Sequence, residues 1–238
     1  MQTLRGVKLS AAILLLPCCL GVGQAFWEIA IQSELNGMVL APLTAGIGCM
    51  VLLYAWLPRP IWTYVLGHEF THAIASMLCG GRVKGMKVSG DGGHVYVTRD
   101  NFFVTLAPYF IPIYAVFVFV IFAISQHVLG FGSRPMAWAL FFWALGLAYC
   151  FHVFLTCHIL RTRQPDIVSQ GYFFSAVIIY LGNMGVLFVG LMLVSGGLQM
   201  QQIIRDLSSG ILDAYSIFGD MAEGAAISIN SVLNSDSG

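Results

Sequence analysis

Residues 64–81, "YVLGHEFTHAIASMLCGG", place two histidines and a glutamate inside an otherwise apolar run. His68 and His72 are four residues apart, so on a helix they lie one turn apart on the same face. Glu69 lies about 100° further round that helix. Ionisable groups are costly at bilayer depth, and those retained there are mostly functional. The HExxH pattern therefore predicts a metal site on an apolar helix, with zinc as the expected ion.

The composition around this stretch predicts a multi-pass protein of the lipid bilayer. Of 238 residues, 58% are hydrophobic and only 9% are charged, against about 25% charged in soluble domains. Net charge is zero and no basic run is present, so nucleic-acid binding has no electrostatic basis. The six cysteines lie in apolar segments without a C-x-x-C pair. We expect them to be small buried hydrophobes rather than disulfide or zinc-thiolate cysteines.

The distribution of apolar runs predicts an all-α membrane fold with about six spanning helices. A span needs roughly 20 apolar residues. The predicted spans are about 9–27, 36–57, 60–80, 102–125, 135–160 and 171–195. Residues 1–25 have a basic start and an apolar centre, so a retained helix is expected and a cleaved signal is the alternative. Pro108 and Pro112 predict a kink in the fourth span.

Two stretches differ from the membrane pattern. Residues 81–101 alternate polar and apolar side chains around glycines, which predicts a short β-hairpin. Its expected strand residues are Val83, Val88, Val95 and Val97. From about residue 198, apolar side chains recur every three to four positions and predict an amphipathic, interfacial helix. These side chains are Ile203, Leu207, Ile211, Tyr215 and Phe218, and a Ser/Asn-rich end without a packing signal follows.

The third metal ligand has few candidates. A catalytic zinc site needs three protein ligands and an open position. Between residues 35 and 205 the carboxylates are Glu69, Asp91, Asp100 and Asp166. Asp91 and Asp100 are typical of solvated loop acids. Asp166, in "HILRTRQPDIVSQGYFFS", lies at the junction of the last two predicted spans. It is the acid best placed to reach the third span.

Alternatives stay open at this junction. Asp166 could instead cap the helix that starts near Pro165, or pair with Arg161 or Arg163. His158 is then the alternative third ligand. We expect the remaining histidines to be structural: His152 packed or hydrogen-bonded in its helix, His94 on the surface and His127 in a loop.

The segment "HEFTHAIASMLCGGRVKGMKVSGDGGHV" resembles the site-2 protease family of intramembrane zinc metallopeptidases, and the similarity extends over residues 66–183. The resemblance implies that His68 and His72 bind zinc, that Glu69 is the catalytic base and that Asp166 completes the site. Thr71 replaces the usual glycine, and "QPDI" replaces the usual Leu-Asp-Gly. These departures place the similarity with the compact, divergent branch that lacks a PDZ domain.

The resemblance also implies an organisation and an activity. The chain would comprise two N-terminal membrane helices (1–58), a metallopeptidase-like membrane core (59–196) and an amphipathic C-terminal tail (197–238). It would be a multi-pass protein of a bacterial inner membrane that cleaves transmembrane protein substrates, with the hairpin on the cytoplasmic side. We expect strand pairing with residues 95–98 to hold the substrate extended. Asn183 would contact substrate or a neighbouring helix.

Two other functions are compatible with the motif. A catalytically inactive adaptor could keep the fold and the zinc while the atypical "QPDI" abolishes turnover. A metal transporter could place a similar His-Glu pattern on a membrane helix. Such carriers have proline inside the motif and a second helix rich in acids, whereas this chain has Phe70 and Thr71 at that point.

Overall fold

A computed structural model describes residues 2–32, 37–89, 92–130, 134–194 and 200–235. The fold is mostly helical (82%) with one small hairpin, as the sequence predicted. The helices are α1 (Gln2–Leu14), α2 (Leu16–Gln32), α3 (Gly37–Trp56), α4 (Ile61–Leu78), α5 (Phe102–Leu106), α6 (Ile113–Leu129), α7 (Pro135–Ile159), α8 (Pro165–Gln170), α9 (Tyr172–Val194) and α10 (Met200–Ser235). The strands are β1 (Val83–Ser89) and β2 (Gly92–Val97).

Four helical stretches of the described chain are long and apolar enough to cross a membrane: Arg5–Gln32, Gly37–Trp56, Pro135–Ile159 and Tyr172–Met192. A fifth is added if the bent pair Phe102–Tyr109 and Ile113–Val128 is one span. The predicted count of six is therefore not confirmed. Helix α4 is not among these stretches because His68, Glu69 and His72 lower its hydropathy.

The predicted fourth span is broken into two helices. Helix α5 leads into a 3₁₀ turn (Ala107–Tyr109), and α6 starts after Pro112 at an angle of 80°. Proline lacks the N–H group that would continue the helical hydrogen bonds. The kink predicted at Pro108 and Pro112 is thus a complete break, and it places Tyr109 at the corner.

The hairpin predicted after α4 is present. Strands β1 and β2 pair antiparallel, with Lys87 opposite His94 and Ser89 opposite Gly92; residues 90 and 91 lie outside the described chain. Along β2, half-buried Gly93, Val95 and Val97 alternate with exposed residues. This alternation is the period of two expected for a strand with one face packed on protein.

The chain forms two compact units: Met1–Glu34 with Leu187–Gly238, and Leu35–Val186. The first unit contains α2 and α10. The helix predicted in the tail is present as α10, but it continues through the Ser/Asn-rich end to Ser235.

The buried face of α10 differs from the predicted apolar stripe. Ile203, Gly210 and Ala214 are buried, whereas Tyr215 and Phe218 are exposed. A Cβ atom added at Gly210 would lie 2.8 Å from the Gly21 carbonyl oxygen of α2. Small residues therefore set the packing here, and hydrophobic periodicity alone gives them little weight.

Candidate metal centre

Helix α4, in the second unit, presents three polar side chains one turn apart to the segment that follows the hairpin. Ser76 Oγ donates to the Arg99 carbonyl at 2.9 Å, and His72 Nδ1 lies 2.8 Å from the Val104 carbonyl. One turn earlier, the His68 ring meets the Tyr109 ring edge to face at 5.2 Å. These contacts hold the imidazoles against α5 and the turn after it.

Asp166 reaches the histidines from the first turn of α8. Gln164 Nε2 donates to the Ile159 carbonyl at 3.1 Å and tightens the connection from α7. Gln170 Nε2 donates to Thr105 Oγ1 at 3.3 Å and ties α8 to α5. The N-cap residue of α8 is Gln164, without a side-chain capping bond. Asp166 therefore does not cap this helix, and its carboxylate points to other partners.

The carboxylate of Asp166 lies between the two histidines. Its Oδ2 is 3.3 Å from His68 Nε2 and 3.4 Å from His72 Nε2, and Tyr109 O–H donates to the same oxygen at 3.0 Å. The three metal-ligand atoms lie within 4.8 Å of one another. Burial raises the pKa of the Asp166 carboxyl, but its contacts with both imidazoles outweigh burial and hold that pKa well below its usual range.

This donor set suits zinc. Tetrahedral zinc with ligand bonds of about 2.0–2.1 Å has donor atoms about 3.3–3.4 Å apart, which matches both distances to Asp166. Charge-assisted hydrogen bonds are shorter, at about 2.7–2.9 Å. His72 Nδ1 is bonded to the Val104 carbonyl, so the other ring nitrogen, Nε2, can bind the ion. A backbone carbonyl is a usual partner for the second ring nitrogen of a metal-binding histidine. Two histidines and one carboxylate leave a fourth position open.

Glu69 lies beside this cluster and is not part of it. Its side chain is only 8% exposed, and strand β2 packs directly over it. A Cβ atom added at Gly93 would lie 2.8 Å from Glu69 Oε1 and 2.7 Å from Val65 Cγ1. The absence of a side chain at Gly93 thus provides the space that the glutamate occupies.

The alternative ligand His158 is outside the group of metal-ligand atoms found in the described chain. His152 is buried in α7, as expected of a packed histidine. His94 is exposed on β2 with its ring 4.9 Å from the ring of Tyr96. His127 lies in the last turn of α6 rather than in a loop, because α6 continues beyond the predicted end of its span.

The two loop acids have different outcomes. Asp100 is exposed and accepts a hydrogen bond from Thr105 Oγ1 at 2.8 Å. Asp91 lies outside the described residues.

Asn183 donates to the Tyr109 carbonyl at 3.2 Å and to the Ile179 carbonyl at 2.9 Å. These contacts agree with the helix-packing alternative considered for it.

Three contributors to the site were not anticipated from the sequence. Tyr109 was counted within an apolar span, although the flanking Pro108 and Pro112 indicated a break where a polar group could turn inward. Gly93 was identified as a hairpin glycine, but no spacing rule connects it to Glu69. The Val104 carbonyl carries no sequence signal, because every residue has one.

No protein-family model matches the chain, and no curated protein or solved structure shows significant similarity to it. Membership of the site-2 protease family therefore stays a prediction from the motif.

Proposed function

We propose that this chain is an intramembrane zinc metalloendopeptidase that hydrolyses peptide bonds in or near transmembrane segments of other proteins. The observation that carries the proposal is the convergence of His68, His72 and Asp166 with a buried glutamate next in sequence to the first histidine. The four helices that are apolar enough to span a bilayer support a multi-pass location. A bacterial inner membrane is the proposed compartment.

In this proposal His68, His72 and Asp166 hold the ion. A zinc ion held there would supply Lewis acidity, which makes water a stronger acid and polarises a carbonyl oxygen. Glu69 takes the proton of the attacking water and delivers it to the leaving amine. The packing of Gly93 against Glu69 limits the movement of the carboxylate. Tyr109 and Val104 orient the Asp166 and His72 ligands through the hydrogen bonds described above.

The substrate must be extended at the scissile bond, because a helix engages its backbone carbonyls in its own hydrogen bonds. The β2 edge is the proposed docking strand. Thr98 N–H donates to the Arg82 carbonyl at 3.0 Å, beside the pair formed by Val83 and Val97. In an antiparallel ladder this places the Val97 N–H and C=O on the open side. Those groups are available to a substrate strand.

The test is cleavage of a model transmembrane substrate by purified wild type and Glu69→Ala in detergent and in liposomes. We expect wild type to cleave and Glu69→Ala to lose about 10²- to 10⁴-fold of the rate, the usual contribution of a general base, with its zinc retained. Zinc binding without Glu69-dependent cleavage would instead support the adaptor. Zinc flux across the liposome membrane would support the transporter.

A further inference from the structure

His152 is a buried titratable side chain that the proposed mechanism does not use. It is 6% exposed, and its Nε2 has no hydrogen-bond partner among the residues that the structure describes. A buried polar atom without a partner is costly, so native proteins usually supply one in protein or in ordered water.

His68 has the same deficit on the side of its ring away from the cluster. Its Nε2 faces Asp166, whereas its buried Nδ1 lacks a partner within the described chain. A metal-ligating histidine almost always donates its second ring N–H, which fixes the tautomer and the ring orientation. The Val104 carbonyl does this for His72. His68 is therefore the candidate ligand whose second ring nitrogen lacks such a partner in the described chain.

The packing of α4 on α7 brings His68 and His152 to one cleft. Tyr64 Oη and Thr156 Oγ1 lie 3.3 Å apart and mark one point of contact between the two helices. His68 is one turn after Tyr64, and His152 is one turn before Thr156. Both histidines line a cleft with Gly67 and Thr71.

Of the three candidate metal ligands, only His68 lines this cleft. His72, Glu69 and Asp166 are not among its lining residues. His152 therefore shares the cleft with His68 and not with the other two candidate ligands, and the His68 nitrogen left without a partner in the described chain is Nδ1. It is not placed to act as a fourth ligand or as an acid at the reacting atoms.

We propose that His152 is a positioning residue that orients the zinc ligand His68 through one buried water in this cleft. The two nitrogens form no direct hydrogen bond, and a water that bridges two protein polar groups is enthalpically nearly as favourable as a direct hydrogen bond. His68 Nδ1–H donates to the water, and the water donates to His152 Nε2. The inference rests on the proposed metal centre, but not on proteolysis.

The experiment compares metal affinity in the full-length detergent-purified protein, using zinc with a competing chelator and cobalt(II) absorption. His152→Gln and His152→Met are nearly isosteric, but only glutamine can hydrogen-bond the water. Thr156→Val is the matched control, because it removes a buried hydrogen bond one turn away on α7. We expect His152→Met to weaken zinc binding by about 10- to 100-fold, as outer-shell substitutions do, and to alter the cobalt spectrum. His152→Gln and Thr156→Val should remain close to wild type in both.

Equal affinity in His152→Met and wild type would overturn the inference and leave the metal centre intact. Equal losses in the Met and Gln variants would also overturn it, because packing of the imidazole would then explain both. If the Met variant does not fold, the Gln variant alone decides, since an altered cobalt spectrum there contradicts the inference. Absence of metal binding in wild type would refute both the metal centre and this inference. A loss confined to the Met variant in a protein without cleavage would support the inference and count against the protease.

Discussion

His68 Nε2 lies 3.3 Å from Asp166 Oδ2, although 98 residues separate the two in sequence. The contact brings the first turn of α8 to the middle of α4, and His72 Nε2 lies 3.4 Å from the same oxygen. Asp166 carries a third contact from Tyr109 at 3.0 Å. One carboxylate oxygen therefore connects three separate segments of the chain, and the integrity of the site depends on it.

Gly93→Ala tests the packing of the hairpin on Glu69, the proposed catalytic base. The new Cβ would lie 2.8 Å from Glu69 Oε1 and 2.7 Å from Val65 Cγ1, so the carboxylate must move. A displacement of about 1 Å at a catalytic group can cost about 10²-fold in rate. We expect a loss of that size in substrate cleavage with unchanged zinc content, measured by a fluorogenic assay and metal analysis.

Gly85→Ala is the matched control for this change. Gly85 lies on the neighbouring strand, where an added Cβ would approach the Tyr96 ring only to 3.9 Å. Its cleavage rate should stay near wild type. Similar rates for the Gly93 and Gly85 variants would show that the hairpin does not constrain Glu69.

Tyr109→Phe tests the hydrogen bond to Asp166, the proposed third ligand. The variant keeps the buried ring and removes only the hydroxyl that donates to Oδ2. Outer-shell losses of this kind weaken metal binding by about 10- to 100-fold. Chelator competition with zinc should show that loss.

Tyr114→Phe removes a comparable hydroxyl that donates to the Thr63 carbonyl instead of to a ligand. Zinc binding in this control should match wild type. An unchanged zinc affinity in Tyr109→Phe would mean that Asp166 needs no such support.

Val97→Pro tests strand pairing of the substrate. The Val97 N–H points to the open side of β2, so proline there removes a donor available to a substrate and leaves the pairing with β1 in place. We expect cleavage to fall while zinc stays bound. Val83→Pro is the control. Val83 is the residue of β1 paired with Val97, and its N–H points away from β2, so this variant should cleave faster than Val97→Pro. Equal rates in Val97→Pro and wild type would rule out pairing at this edge.

The local elements could be predicted because each has a local cause. The alternation in residues 83–97 gives the hairpin, and four-residue spacing puts His68 and His72 on one face. The HExxH helix itself was harder to classify, since the groups that identify the site also lower the hydropathy of α4.

Features of the site that depend on residues far apart in the sequence were harder to predict. Asp166 was predicted as the third ligand by elimination among the few acids of the chain. That reasoning could not predict its hydrogen bond with Tyr109. The close approach of Gly93 to Glu69 depends on the tertiary packing of β2 over α4. In α10, glycine at position 210 moved the buried face away from Tyr215 and Phe218, because a missing side chain allows closer helix contact than a large apolar one.

The proposed zinc ion would be held by His68, His72 and Asp166. The most direct measurement is zinc stoichiometry by elemental analysis of the purified, zinc-loaded protein and of Asp166→Ala, with Asp100→Ala as the control acid. We predict one zinc per chain in wild type and in Asp100→Ala, and loss of most of that zinc in Asp166→Ala. No zinc in wild type, or full retention in Asp166→Ala, would contradict this prediction.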